Sequence, residues 1–279
     1  MKVTVLVDNN TIIDRYFLAE PALCLLIQEG SRKILFDLGY SDVFIRNANK
    51  MKISLNDVDT IVFSHGHNDH TGGLPALIAM YIEEALEKRK FLKPDLICHK
   101  DTFGTKVTGN FIDIGSPVTV DKLKQHFNLN LTNEPFWITD KLVFLGEIPR
   151  SNSFENRHPV GKVLEEEDFR DDFLKDDSAL AYKSKNGLVI ITGCSHAGIC
   201  NIIEYARKVT GESRVLDIIG GFHLLNPSKT QMDGTIEYFK ELNPCSIYAC
   251  HCTDFPSKAA LSEHFNVKDT GVSLELYYD

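Results

Sequence analysis

The sequence predicts an α/β fold in which helices cover open β-sheets. Short apolar, β-branched runs alternate with longer runs whose apolar residues recur every three to four positions, the patterns of buried strands and of helices with one apolar face. Four of the predicted strands also end in turns that contain histidine. Ligands gather beyond the carboxyl ends of strands in such sheets, so the turns are expected to meet at one site. They carry His65, His67 and His70, then His196, His223 and His251.

The composition is that of an ordinary globular chain. Its 279 residues suffice for one large domain or two small ones, and 43% of them are hydrophobic. A net charge of −9 argues against a nucleic-acid partner, because such proteins present excess lysine and arginine. No apolar run has the length of a membrane span, and residues 1–8 resemble a strand rather than a signal peptide. The seven cysteines lack the spacing of a disulfide framework, which favours reduced thiols and a cytoplasmic location.

The elements at the start of the chain are strands. A strand at residues 1–8 is predicted to lie at a sheet edge, and residues 22–28 and 33–36 form a hairpin around Gly30. The second hairpin strand ends at Asp37. An aspartate here is either a turn former that binds its own backbone or a carboxylate that orients a metal-bound histidine.

A dense group of metal-ligating side chains follows the next predicted strand, at residues 60–63. His65, His67, Asp69 and His70 fall within six residues there, although the chain has only ten histidines in all. Neutral imidazole and carboxylate are natural ligands of zinc, iron and manganese. A loop at a strand end can direct several side chains to one point. The pattern predicts a metal site, and the alternative is a polar turn with chance histidines.

A helix is predicted directly after this loop, over residues 74–90, because Gly72 and Gly73 form a turn and Pro75 suits a first helical turn. A strand at residues 96–98 then leads to His99, which is either a structural histidine or a residue of the substrate pocket. The next predicted element is a helix over residues 120–127, with His126 on its surface.

The second half of the chain repeats the order of strand, polar turn and helix. Residues 151–177 separate the halves; they are polar and acidic, and we expect a solvated loop whose length and position suggest a lid over the pocket. Gly187 belongs to a hairpin turn, and Gly211 ends a helix that begins at residue 199. The remaining predicted elements are strands at 141–145, 180–183, 188–192, 215–219 and 246–250 and a helix through residues 236–242.

The pattern His-x-His-x-Asp-His followed by Thr-Gly-Gly-Leu resembles the metal loop of the metallo-β-lactamase superfamily. Other runs resemble one subgroup, the metal-dependent hydrolases of β-lactamase superfamily II, which includes the archaeal enzyme that makes a dihydropterin–ribofuranosylaminobenzene 5′-phosphate in methanopterin synthesis. The resemblance covers nearly the whole chain and implies a single domain over residues 1–279. The runs that carry it are residues 34–37, 146–150, 154–155, 176–180, 193–198, 220–224 and 251–253.

The resemblance implies a four-layer αββα sandwich with two mixed sheets inside and helices outside. It implies that His65 and His67 hold one metal and that Asp69 and His70 hold a second. Asp37 stands where the superfamily has an aspartate, which favours its orienting role. The implied cofactors are one or two divalent transition metals, with zinc expected first and iron or manganese as alternatives.

The sequence departs from the superfamily pattern at the end of the strand at residues 188–192. The superfamily usually has a His-Thr-Pro-Gly-His segment and then a strand ending in Gly-Asp, whose aspartate bridges both metals. This chain lacks that segment and has Cys194 in place of the aspartate, either as a thiolate ligand or as a small buried hydrophobe. His196 is predicted as a ligand rather than a structural histidine, and His251 closes the site. Asp177 is a weaker candidate to supply the missing carboxylate. The number of metals, one or two, therefore stays open.

The predicted activity is hydrolysis of a small phosphorylated or ester-type substrate by a metal-activated water. Asp69 would orient that water or take its proton, and His223 would act as a general acid or bind a phosphate. One alternative is a transferase that condenses a pterin diphosphate with an aromatic amine, as in methanopterin synthesis. The other is a catalytically weak metal-binding sensor, which the missing bridging aspartate favours. Motifs of a shared site do not separate hydrolase from transferase, and no oligomeric state is predicted.

Overall fold

A computed structural model describes all 279 residues, which form strands β1 to β17 and helices α1 to α7. The longest helix has 14 residues, and none has the length and apolar composition that a bilayer crossing requires. The strands are β1 (Lys2–Val7), β2 (Cys24–Glu29), β3 (Arg32–Phe36), β4 (Thr60–Val62), β5 (Asp95–Cys98), β6 (Lys106–Thr108), β7 (Ile112–Asp113), β8 (Asn128–Leu131), β9 (Phe136–Trp137), β10 (Leu142–Phe144), β11 (Gly161–Glu165), β12 (Asp168–Asp172), β13 (Ala179–Ser184), β14 (Gly187–Thr192), β15 (Val215–Gly220), β16 (Ser246–Ala249) and β17 (Glu275–Tyr277). The helices are α1 (Val43–Lys50), α2 (Asn68–Thr71), α3 (Leu74–Leu86), α4 (Val120–His126), α5 (Ile199–Thr210), α6 (Lys229–Leu242) and α7 (Phe255–Ser262).

Two large mixed sheets and one small sheet contain these strands. The first large sheet has the order β17-β1-β2-β3-β4-β5-β8, and the second has the order β16-β15-β14-β13-β10-β9. Strands β3, β4, β5 and β8 are parallel, as are β14, β15 and β16. Parallel neighbours need crossover connections, and the helices between them provide these. The small sheet has the order β12-β11-β6-β7.

Three buried clusters show how the layers stack. One cluster of 17 residues contains side chains of both large sheets, such as Phe36 and Ile191, and therefore lies between them. A cluster of 23 residues joins the first sheet to helices that include α3, through Leu77. A cluster of 21 residues joins the second sheet to helices that include α5, through Ile203. The order helix, sheet, sheet, helix confirms the predicted αββα sandwich.

Strand β14 illustrates why a continuous apolar run folds this way. Successive side chains of a strand point to opposite faces, so Val189 and Ile191 enter the layer between the sheets while Leu188 and Ile190 face the helices. Complete burial of each such side chain stabilises the fold by about 1.5–3 kcal/mol. The strand that carries Cys194 and His196 to the site is thus fixed on both faces.

Unusual backbone angles mark the ends of the strands that lead to the site. The φ angles of Asp37, Ser195, His223 and His251 are 56°, 60°, 50° and 48°. Residues other than glycine rarely adopt positive φ, and each such residue costs about 1–3 kcal/mol unless its surroundings hold it. The sharp turns they make redirect the chain at the same edge of the sandwich, where the histidines gather.

The prediction that the first strand lies at a sheet edge is wrong. Strand β1 pairs antiparallel with β2 on one side and with β17 on the other. The short run Glu-Leu-Tyr of β17 has no apolar pattern of its own and forms a strand because β1 offers an unpaired edge. The helix after the metal loop ends at Leu86, four residues before the predicted end.

The solvated loop predicted at residues 151–177 is also wrong in part. Strands β11 and β12 form a hairpin within it, and β11 pairs with β6 in the small sheet. Most of its side chains are exposed, so its polar composition hides the strand pattern. Before the hairpin, the buried carboxylate of Glu155 accepts hydrogen bonds from the backbone N–H groups of Cys200 and Asn201 at 2.9 and 3.0 Å. This contact caps the first turn of α5 and fixes the segment to it.

Candidate metal centre

Seven side chains from both halves of the chain bring potential metal-ligand atoms together at one edge of the sandwich. They form three overlapping groups, and within each group the ligand atoms lie within 4.8 Å of one another. Cys194 belongs to two of these groups. The first group is Asp69, His70, Cys194 and His251; the second is His65, Cys194 and His196; the third is His65, His67 and Asp69.

His65, His67 and His196, called here the buried trio, pack ring against ring. Their ring centroids are 4.6 to 4.9 Å apart, and no side chain of the trio is more than 8% exposed. The Nε2 atoms of His65 and His67 and both ring nitrogens of His196 are buried without a hydrogen-bond partner. A buried polar atom without a partner costs about 1–3 kcal/mol. A metal ion would satisfy Nε2 of His65, Nε2 of His67 and one nitrogen of His196, so the donor set fits one.

The ring of His65 is oriented by a chain of hydrogen bonds. The Ser64 hydroxyl donates to Asp37 Oδ2 at 2.7 Å and lies 2.9 Å from His65 Nδ1. Because the hydroxyl proton is used on Asp37, we assign the proton between Ser64 and His65 to Nδ1. That assignment leaves the lone pair of His65 Nε2 free to bind a metal.

Asp69, His70 and His251, called here the acid-paired group, are held by polar partners. Asp37 Oδ2 lies 2.7 Å from His70 Nδ1, and Asp69 Oδ2 lies 3.3 Å from His251 Nε2. His251 Nδ1 is 3.1 Å from Asn9 Oδ1 and donates to it. The Nε2 atoms of His70 and His251 then face each other at 3.1 Å. The two Nε2 atoms are therefore close enough for one metal ion to bind both.

The two groups differ in the protonation of their imidazoles. Burial lowers the pKa of His67 to about 4, and burial together with the neighbouring imidazoles lowers the pKa of His65 and His196 well below the usual value. Burial opposes a charge on His70 as well, but Asp69 and Asp37 outweigh it and raise its pKa to about 9. Burial alone would raise the pKa of Asp69; the adjacent His70 and His251 lower it instead. At neutral pH, before any metal binds, the trio is neutral and His70 carries a proton.

Cys194 lies where the two groups meet. Its side chain is 3% exposed, and its Sγ is 3.2 Å from His70 Nε2. Burial raises the pKa of the Cys194 thiol. The thiol of Cys252 donates to the backbone oxygen of Cys194 at 3.3 Å, which holds the turn in place. All seven cysteines are free of disulfides.

The backbone between His65 and His67 is fixed by glycine and by a buried ion pair. A Cβ atom on Gly66 would lie 1.8 Å from the backbone oxygen of Thr102, so only glycine fits. The Gly66 N–H donates to Asp176 Oδ2 at 2.9 Å, and Asp176 Oδ1 accepts from Lys106 Nζ at 2.8 Å. The metal loop is thereby tied to the small sheet.

His223 and Asp177 lie next to the cluster without joining its ligand groups. The His223 ring is 4.2 Å from the His196 ring, and its buried Nδ1 has no partner. Asp177 Oδ2 accepts from the backbone N–H of Ala197 at 2.8 Å, and its other oxygen is unpartnered. Burial raises the pKa of Asp177 to about 7. Asp177 therefore supports the turn of His196, and it lies outside the three ligand groups.

The two remaining histidines of interest lie outside the cluster. His99 is buried; its Nδ1 accepts from the Asp101 backbone N–H at 3.2 Å, and its Nε2 is 3.5 Å from Glu147. These contacts suit a structural histidine. His126, predicted at the surface, ends α4 with its side chain half-buried, so that prediction is wrong.

Sequence reasoning missed the residues that support the cluster from distant segments. Asp8 accepts a hydrogen bond from the His251 backbone N–H at 2.9 Å, and Asn9 orients the His251 ring. Lys106 and Asp176 hold the loop of the trio. The only available signal was the charged and polar residues at the ends of apolar strands, which is common in any sheet.

Comparisons with known proteins identify relatives of this chain. The metallo-beta-lactamase superfamily pattern matches residues 19–97. The uncharacterized protein MJ0448 of Methanocaldococcus jannaschii is 31% identical over 266 residues, which is 94% of each chain. The 7,8-dihydropterin-6-methyl-4-(beta-D-ribofuranosyl)-aminobenzene-5'-phosphate synthase of the same organism is 28% identical over 276 residues, 95% of this chain and 92% of its own. The crystal structure of Tm1679, a metal-dependent hydrolase of the beta-lactamase superfamily, has a TM-score of 0.83 and 28% identity over 100% of both chains.

Proposed function

The chain belongs to the metallo-β-lactamase superfamily, and on that premise we propose that its cluster binds one or two divalent transition metals and hydrolyses a small phosphorylated or ester-type substrate. The observation that supports this proposal is the set of unpartnered, buried imidazole nitrogens in the trio. Zinc is the first candidate, and iron and manganese are the alternatives, because imidazole, carboxylate and thiolate suit all three.

The proposed ligands divide between the two halves of the cluster. His65, His67 and His196 would hold one metal, and Asp69, His70 and His251 would hold the other. Cys194, which belongs to a group on each side, would supply a thiolate ligand between them. Bound there, a divalent metal lowers the pKa of a water molecule to about 7 and polarises a phosphoryl or carbonyl oxygen.

Residues of the chain itself orient the histidine rings and the attacking water and transfer the protons. Asp37 and Asn9 fix the ring tautomers of His70 and His251. Asp69 is 30% exposed, and its lowered pKa makes it a weak base, so it is suited to orient the attacking water. The ring of His223 is 4.2 Å from that of His196 and its buried Nδ1 has no partner, so it is placed to donate a proton to a leaving group.

A transferase is the second candidate. The relative named as a dihydropterin–ribofuranosylaminobenzene 5′-phosphate synthase matches the chain over 95% of its length. In that reaction class an aromatic amine, instead of water, would displace the diphosphate of a pterin substrate at the same site.

Metal analysis combined with turnover tests the proposal. Protein purified without chelator is expected to contain one or two equivalents of metal. It should cleave a chromogenic phosphodiester, phosphomonoester or acyl ester, lose that activity to a chelator, and regain it with the metal. His223→Ala should keep the metal and lose turnover by about 10²–10⁴-fold. His264→Ala, which changes an exposed histidine far along the chain, is the matched control.

The outcomes separate the candidates. Diphosphate release from a pterin diphosphate that requires an aromatic amine identifies the transferase. Metal binding without either reaction leaves the sensor. Protein without metal, or hydrolysis that survives complete metal removal, contradicts the proposal.

A further inference from the structure

A cavity of about 390 Å³ opens beside the buried trio. His196 and His223 form part of its wall, and the rest comes from residues 153, 154 and 156–160, from Ser195 and Gly198, and from residues 225–228, 230 and 231 at the start of α6. A volume of this order fits a small ligand. A substrate in this cavity would reach the cluster through the two histidines.

The cavity has no carboxylate among its lining residues, although the protein is acidic, with a net charge of −9. Arg157 and His158 line it, and both side chains are exposed. No carboxylate lies within 4.0 Å of the Arg157 guanidinium, which leaves its donors free. An anion entering the cavity meets cationic and neutral donors and no opposing carboxylate.

The start of α6 adds backbone donors. Ser228 caps this helix and accepts a hydrogen bond from the Gln231 N–H. The N–H groups of Lys229 and Thr230, in the first turn, have no acceptor in the helix, and Thr230 lines the cavity. A helix of 14 residues concentrates partial positive charge at this end.

His196 provides an independent sign of a ligand. It is 5% exposed, lines the cavity, and has two ring nitrogens without a partner. A metal can bind only one of them. The buried Nδ1 of His223, whose ring is 4.2 Å from that of His196, also lacks a partner. Buried polar atoms that have no partner in the protein and lie beside a cavity indicate that a polar ligand binds there.

From these observations we propose that the cavity is a subsite for a phosphoryl group of the substrate. Arg157 donates hydrogen bonds to the phosphate oxygens, and the first-turn backbone N–H groups of α6 donate further ones. His223 lies between the phosphoryl group and the metal centre. A phosphate carries about two negative charges and several acceptor oxygens, which match this donor set better than a carboxylate does. This inference rests on the proposed function, because it names the substrate class of the same site.

Inorganic phosphate is the probe, and calorimetric titration of the metal-loaded protein is the measurement. Arg157→Ala should weaken phosphate binding about 10–100-fold, because a charge-assisted bidentate contact is lost. Arg157→Lys should fall between wild type and Arg157→Ala. Arg46→Ala removes another exposed arginine, on α1, and should bind phosphate as the wild type does. Metal content and melting temperature should be unchanged in all three.

Protein stripped of all metal with a chelator separates the subsite from simple coordination of phosphate by the metal. Weaker binding in metal-loaded Arg157→Ala, with phosphate still bound by the chelator-treated wild type, supports the subsite. Equal binding by wild type and Arg157→Ala, or no binding by wild type, overturns it. Arg157-dependent phosphate binding in a protein that takes up no metal would keep the subsite and refute the proposed function.

Discussion

The buried trio and the acid-paired group are neighbours, yet their imidazoles are held in different ways. In the trio, His65 and His67 each leave Nε2 without a partner, and burial keeps the rings neutral. In the acid-paired group, carboxylates contact the rings directly, and the pKa of His70 is raised to about 9. The trio is ready to accept a metal, whereas the other half must first release a proton.

The two halves are also supported by different parts of the fold. The trio depends on Gly66, Asp176 and Lys106, which tie the metal loop to the small sheet. The acid-paired group depends on Asn9, at the end of β1, and on Asp37, at the end of β3; Asp37 also holds Ser64, which contacts His65 of the trio. A change at Lys106 or Asn9 should therefore affect one half more than the other.

Lys106→Met should have the largest effect. Lys106 is 2% exposed and bridges Asp172 and Asp176 at 2.9 and 2.8 Å. Its loss leaves two buried carboxylates without a cation, which costs about 3–5 kcal/mol of unfolding free energy. Urea denaturation measures this cost. Lys175→Met, at an exposed neighbouring lysine, should change stability by less than about 0.5 kcal/mol.

The same variant should also release the metal of the trio before that of the acid-paired group, because Asp176 holds the Gly66 N–H. Metal retention of the folded protein, measured at increasing chelator concentration, tests this order. Equal stability of the Lys106 and Lys175 variants would show that the ion pair does not support the loop.

His67→Ala and His251→Ala should each empty one half of the cluster. Removal of a direct ligand is expected to weaken the metal of that half by more than about 100-fold, above the usual effect of an outer partner. Each variant should keep one equivalent if the wild type holds two. Metal analysis after dialysis against a weak chelator gives the count. Loss of all metal in both variants would mean a single shared site, and full occupancy in both would refute the ligand assignment.

The histidines of the cluster could be predicted from sequence because each follows a predicted strand in a recognisable local pattern. Apart from Asp37, the residues that support them could not be predicted. Asn9 and Lys106 are far from the histidines along the chain, and only tertiary contacts, of Asn9 with His251 and of Lys106 with Asp176, bring them to the cluster. Long-range contacts of this kind leave no local periodicity to read. Cys194 was predicted either as a thiolate ligand or as a small buried hydrophobe. In the structure its sulfur lies beside His70, within the cluster.

The same limit explains the errors in the fold. The sandwich follows from apolar strands such as β14, whose continuous hydrophobic run indicates burial on both faces. By contrast, β17 and the hairpin of β11 and β12 consist largely of exposed polar residues. Their strand character comes from a partner edge rather than from their own sequence.

Asp37→Asn and Asn9→Ala compare the outer partners of the acid-paired group. Asp37 is fully buried and accepts from Ser64 and His70, so Asp37→Asn should weaken metal binding about 10–100-fold. The neutral amide of Asn9 makes two longer contacts with His251, one to the ring and one to the backbone oxygen, both at 3.1 Å, and its loss should cost less than about tenfold. Competition with a fluorescent metal indicator gives both affinities. Wild-type affinity in Asp37→Asn would leave this aspartate only as a turn former.

The two halves should differ by about one in the number of protons that they release when a metal binds, and the pH dependence of metal affinity measures this number. With a pKa of about 9, His70 must lose a proton to bind a metal, so affinity of the acid-paired group should rise about tenfold per pH unit up to pH 9 and then level off. The pKa of His67, about 4, adds no such slope between pH 6 and 9. Metal affinity of His67→Ala, which keeps the acid-paired group, should therefore rise more steeply with pH than that of His251→Ala. Because both variants retain Cys194, its thiol proton adds to both slopes and cancels in their difference. Parallel slopes would mean that His70 is already neutral, and the contrast between the two halves would then lie in their supports alone.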